Sequence, residues 1–291
     1  MYVVYHLGAH CTDEDRLIRG LMKNKGKLAS AGISVPSAGR YRTLLRETLV
    51  SLKGKAASPE VQAALFDAIV EEDETRRLIL SHENFLSQPE KVISEGLLYP
   101  AATNRIVALS NLFPQVPKAY CLAIRNPATL IPALLARLPG LSYADLIAGT
   151  DIHQLHWSDL ILRIQQATPG SPIIVWANED SPLIWPEIIA TITTLAPTIS
   201  LHGAFDLVAE IMSDEGMKWM RTYLGNHKPQ NAQQRRRIVS AFLTKFGLAD
   251  KIEMELDLPG WDDRLVRALS DRYESDIETI RSMPGITFLS L

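Results

Sequence analysis

An apolar run that ends at a glycine and restarts as a charged helix opens this chain, and it narrows the folds available to it. Tyr2-Val3-Val4-Tyr5-His6-Leu7 is β-branched and aromatic, the make-up of a buried strand. Gly8-Ala9-His10-Cys11-Thr12 turns the chain, and the residues from Asp13 to Ala31 read as a helix with Thr12 or Asp13 as its N-cap. Strand, glycine turn and helix start are the geometry with which nucleotide-binding α/β proteins hold phosphate on backbone N–H groups. Here Asp13, Glu14 and Asp15 stand at the helix entrance with no lysine before them, so the local charge opposes a phosphate.

Further apolar runs repeat the strand signal at Arg77–Ser81, Ala119–Ile124 and Pro172–Trp176, with a short extended piece at Ile33–Pro36 and a last strand at Ile286–Leu289. Between them lie helical patterns at Pro59–Glu72, Pro89–Glu95, Ala101–Leu112, Tyr143–Ala148, Ser158–Ala167 and Pro182–Leu195. Ser37–Tyr41 reads as a loop delivering Arg40 and Arg42. Strands separated by helices imply right-handed crossovers and an α/β fold with a mainly parallel sheet. From Phe205 the pattern turns helical, near 215–225, 231–246 and 262–282, which suggests a core over 1–204 and a helical part over 205–291 packed on it.

A length of 291 residues, with 46% hydrophobic and 22% charged, suffices for a large core. A net charge of −3 gives no electrostatic reason to expect nucleic acid or an anionic membrane as a partner. The clusters at 71–74 and Arg235–Arg237 read as solvated helix faces. Two cysteines, Cys11 and Cys121, make neither a disulfide framework nor a metal spacing, as in a reducing compartment. Met1 leads straight into the strand without a basic leader, and no apolar run is long enough to span a membrane, so a cytoplasmic location is expected.

The segment His6-Leu7-Gly8-Ala9-His10-Cys11-Thr12-Asp13-Glu14-Asp15-Arg16-Leu17 resembles the first loop of the PAPS-dependent sulfotransferase family, especially its bacterial branch, which reads roughly H-x-G-x-x-K-x-G-T-T-x-L. His6, Gly8 and Leu17 match. Cys11 stands in place of the family's catalytic lysine, and Asp13, Glu14 and Asp15 in place of its Gly-Thr-Thr. Leu80-Ser81-His82-Glu83-Asn84-Phe85 is similar to the family's Ser-x-Glu-Asn-Phe ending, and Leu122-Ala123-Ile124-Arg125-Asn126-Pro127 to its 3′-phosphate motif, with Ala133 where a serine belongs. The stretch from Trp261 to Phe288 also looks like the tail of the bacterial branch. The resemblance implies a P-loop-like fold, PAPS or its product PAP as the cofactor if donor binding is retained, and a hydroxyl acceptor, small-molecule or glycan.

In open parallel sheets ligands sit beyond the carboxyl ends of the strands, which would make neighbours of 8–12, 82–84, 125–127 and 177–180. Gly8, Ala9, His10, Thr12 and Arg125 are the candidate cofactor-binding residues, and Glu83 is the candidate general base. Glu83 serves equally well as a buried carboxylate bracing the loop. Arg125 could fork onto a phosphate or pair with Glu83 or one of Asp13–Asp15. No metal set is expected, because successive carboxylates on a helix point in different directions. Replacement of the lysine and the Gly-Thr-Thr together points to a divergent sulfotransferase-like protein with weak or no PAPS-dependent transfer, acting as a binding or regulatory protein. The alternatives are an active transferase with a non-standard donor site, and an interaction module with homo-oligomer contacts.

Overall fold

The computed structural model describes residues 1–72, 74–195, 201–254 and 258–291. Among the described residues eight strands occur in chain order: β1 (Tyr2–His6), β2 (Ile33–Ser34), β3 (Arg77–Ser81), β4 (Ile93–Ser94), β5 (Leu97–Leu98), β6 (Lys118–Ile124), β7 (Ile173–Ala177) and β8 (Ile286–Leu289). Six of them form one sheet in the order β2-β3-β1-β6-β7-β8, and every pair in it is parallel. The fold is α/β, with helices on both faces of a parallel sheet.

Side-chain alternation divides the core into two layers. Val3, Tyr5, Leu78, Leu80, Tyr120, Leu122 and Val175 face one layer, which is closed by helices Ala38–Leu52, Pro59–Ile69, Ala102–Ser110, Pro127–Arg137, Trp157–Ala167 and Asp263–Ser282. Val4, Ile79, Cys121, Ala123 and Trp176 face the other, under helices Arg16–Met22 and Ser181–Thr193. The region after residue 205 contributes to more than one layer. Val208, Met212, Met217, Met220 and Val239 form a satellite cluster, while Leu269, Tyr273, Ile277 and Ile280 belong to the main core. Among the described residues no helix is long and apolar enough to cross a membrane.

Some local expectations change. The helix expected over 13–31 is two helices, Arg16–Met22 and Lys25–Ser30. Asn24 breaks it: the buried amide donates to the Gly20 carbonyl at 3.0 Å and the His202 carbonyl at 2.9 Å, and accepts from the His202 N–H at 2.8 Å. Such side-chain bonds compete with the helix ladder. Residues 38–41 are the start of a 15-residue helix, not a loop. Tyr41, buried on its inner face, donates to the Ser81 carbonyl at 2.5 Å and accepts from the Ser81 N–H at 2.9 Å, fixing this helix under the end of β3. In place of a helix over 89–95 there is a 3₁₀ turn at Pro89–Lys91 and the β4–β5 hairpin. Glu95 and Gly96 both have positive φ, as a two-residue hairpin turn demands. The acidic run at 71–74 follows the helix Pro59–Ile69 instead of lying on it, and Asp73 lies outside the described residues. Arg235 and Arg236 are helical, but they are not simply solvated, since both grip Glu187, at 2.5 and 2.7 Å.

The last long helix also caps another. Asp276, 5% exposed, accepts from the N–H groups of Trp157 (2.6 Å) and Ser158 (3.2 Å) and from the Ser158 hydroxyl, at the N-terminus of Trp157–Ala167, where no local side chain caps. Asp276→Ala is expected to cost about 2 kcal/mol in urea denaturation, because it strands the buried Trp157 N–H and removes the acceptor of the part-buried Ser158 donors. Asp276→Asn, which keeps one acceptor oxygen, should cost less. Equal losses for the two variants would show that this cap is not what Asp276 contributes.

Candidate functional site

The chain runs from β1 to β2 and β3 on one side and later to β6 on the other, so β1 marks the reversal of strand order where open sheets bind ligands. Gly8 to Thr12, Glu83 and Arg125 all meet there, at the carboxyl ends of β1, β3 and β6. Gly8 has φ +63°, and a Cβ on it would lie 2.8 Å from the Glu83 Cα, so only glycine lets these two backbones touch.

The loop is folded in upon itself. Gly8, Ala9, His10 and Cys11 are all buried. The His10 N–H donates to the Tyr99 hydroxyl at 2.9 Å; that hydroxyl lies 3.1 Å from His10 Nδ1, and His10 Nε2 lies 2.9 Å from Asn84 Oδ1. The tautomer satisfying all three contacts carries its proton on Nε2 and accepts the Tyr99 proton on Nδ1. Burial holds the His10 pKa below the ordinary histidine value, in keeping with that neutral ring. Thr12 donates its hydroxyl to the Ala9 carbonyl at 2.6 Å, closing the turn.

Each charge at this edge has a protein partner. The Glu83 carboxylate is gripped by both terminal nitrogens of Arg137, one at 2.7 Å. Burial raises the Glu83 pKa, but the Arg137 guanidinium outweighs it, and the carboxyl is held below its usual range. A general base needs the opposite shift. Arg125 donates to the Cys11 carbonyl, to the Thr129 hydroxyl at 3.0 Å and to the Met254 sulfur at 3.9 Å, so it pairs with neither Glu83 nor Asp13–Asp15. Its own carbonyl accepts from the Trp157 indole at 2.8 Å.

The three carboxylates are also engaged, and they do not sit in a first helical turn. Asp15, in left-handed backbone with φ 65°, is the N-cap residue, which corrects the expectation of Thr12 or Asp13. Its carboxylate forks with Arg42 at 2.5 and 3.0 Å, and that hydrogen bonding lowers its pKa. Glu14 pairs with Arg16 at 3.0 Å, and Asp13 accepts from the Leu17 N–H at 2.9 Å while burial raises its pKa. Below Thr12 and Asp13 a cavity of about 10 Å³ lies against Trp176, Ser181 and Trp185. That is no more than one water requires. Among the described residues no group of three or more His, Cys, Asp or Glu side chains is arranged to hold a metal ion.

Arg137 and Tyr99 have no signal in the sequence. Arg137 lies twelve positions beyond Arg125, at the end of its helix, and no local pattern links it to Glu83. Tyr99 stands before Pro100 after two leucines, and only its burial between His10 and Trp157 gives it a role.

Among solved structures, the crystal structure of a sulfotransferase from Alicyclobacillus acidocaldarius matches at 9% identity and a TM-score of 0.38, over 82% of this chain and 97% of that one. No family model matches the chain, and no curated protein does so.

Proposed function

We propose that this chain is a binding protein on the sulfotransferase-like scaffold that its motifs resemble, without PAPS-dependent transfer in that family's usual mode. The observation that supports this most directly is the bidentate clasp of Glu83 by Arg137 beside a buried loop whose Cys11 carbonyl occupies Arg125. A donor phosphate would have to displace the carbonyl from Arg125 and enter beside three carboxylates. A hydroxyl acceptor would meet a carboxylate already committed to a guanidinium. Neither step has a group left over to drive it.

A second reading rests on Arg125, whose described partners include no carboxylate. If the Cys11 carbonyl swung away, this guanidinium could accept a phosphate, and the chain would be a transferase with a non-standard donor site. PAP binding separates the two readings. A ligand at a hundredfold excess over its Kd stabilises the folded state by about 2.7 kcal/mol, a melting shift of several degrees. The expected result is no shift with millimolar PAP and no heat in calorimetry. Micromolar binding that disappears in Arg125→Gln would establish the second reading.

A further inference from the structure

Beside the closed corner, on the β3 side, an open groove of about 480 Å³ runs between helices Ala38–Leu52 and Ala102–Ser110. Arg42, Leu45, Arg46, Leu49 and Val50 line one wall, at spacings that put all five on one helix face. Arg105 and Leu109 line the other, also one turn apart. Phe85, the ring of His82, Ala108 and the uncharged polar side chains of Thr43, Asn84 and Gln88 complete the lining.

Two properties of this groove stand out together. Most of its exposed lining is apolar, and Val50, 72% exposed, presents an aliphatic side chain to solvent. Its charges are of one sign: three arginines line it and no acidic residue does. Arg42 is held by Asp15, but Arg46 and Arg105 have no ion-pair partner among the described residues. Burial and the nearby Arg42 push the His82 pKa down to about 4, so at neutral pH its ring adds a neutral wall and no competing charge.

From this combination we infer a binding site for a small amphiphilic anion, an oxyanion head carried on an apolar body, with the head between Arg46 and Arg105 and the body along Leu49 and Val50, over a floor of the almost fully buried Phe85 and Leu109. A volume of about 480 Å³ lies within the usual range of small-molecule clefts. Arginine suits the head, because its planar fork bonds two oxygens of a carboxylate, sulfate or phosphate ester at once. The apolar body supplies affinity without selectivity, and the two guanidinium groups select charge.

The site goes beyond the proposed binding role and does not depend on the donor corner's being closed. Decanoate, decyl sulfate, decanol and inorganic phosphate, each titrated by calorimetry below micellar concentrations, test it. Decanoate or decyl sulfate should bind at least tenfold more tightly than decanol or phosphate, and the tighter of the two identifies the head. In the double variant Arg46→Gln/Arg105→Gln, whose side chains are exposed in the wild type, that preference should fall to within twofold while the melting temperature holds. Equal binding of decanoate, decyl sulfate and decanol, unchanged anion binding by the double variant, or no binding of any probe would overturn the proposal. PAP binding alongside anion binding would overturn the closed-corner reading and leave this site standing.

Discussion

Gly8→Ala is expected to cost about 2–5 kcal/mol, a large share of the stability of an ordinary domain. Left-handed backbone at φ +63° costs an alanine about 1–2 kcal/mol. The added methyl would then stand 2.8 Å from the Glu83 Cα and 3.3 Å from its backbone nitrogen, and neither can swing aside as a side-chain tip can. Relief requires β1 and the turn after β3 to separate, at about 1–3 kcal/mol for an overpacked contact. Gly54→Ala is the control, since φ there is +83° with nothing within 4 Å of the new methyl, so only the backbone penalty of about 1–2 kcal/mol applies. Urea denaturation of both variants measures the difference. Equal losses would mean that the contact with Glu83 yields easily and does not anchor the loop.

The same contact separates what the amino-acid order discloses from what it conceals. Tyr2–His6, Arg77–Ser81 and Lys118–Ile124 are apolar nearly throughout because strands inside a parallel sheet are buried on both faces, so their composition identifies them. The glycine after the first strand likewise announces a turn. Its partner is hidden, because the approach to Glu83 spans 75 positions and leaves no periodic trace. The same holds for Arg137 on Glu83, Arg125 on the Cys11 carbonyl and Arg42 on Asp15. Sequence presents these as surface cations and free carboxylates, and only tertiary distance pairs them. Arg42 and Arg46 come nearest to being legible. With Leu45 and Leu49 they have helical spacing, and the polar, glycine-containing stretch at 37–41 disguises where that helix begins.

Acidification should destabilise the protein well before its carboxylates protonate, and His82 is one cause. Its pKa falls from an unfolded value near 6.5 to about 4 in the fold, because burial and the nearby Arg42 disfavour the charged ring. Between those values the unfolded chain binds a proton that the folded chain refuses. Stability therefore rises with pH through the window and falls as pH drops from about 6.5 toward 4. One histidine shifted this far removes roughly 2 kcal/mol between pH 7 and pH 5, and up to about 3 kcal/mol near pH 4. His6 and His10, also lowered by burial, act in the same direction. Asp13 opposes them, because a carboxyl with a raised pKa favours the folded state as it protonates. Asp15 and Glu83, held low by Arg42 and Arg137, lose their contributions only at still lower pH. Unfolding free energies from urea denaturation at pH 7 and pH 5 should therefore differ by roughly 2 kcal/mol more in wild type than in His82→Gln, which carries no titratable ring. Proton NMR gives an independent reading, because the His82 ring resonances should not move above pH 5. A midpoint near 6.5 would mean that the ring is solvated when folded, and the acid loss would then fall to His6 and His10 alone.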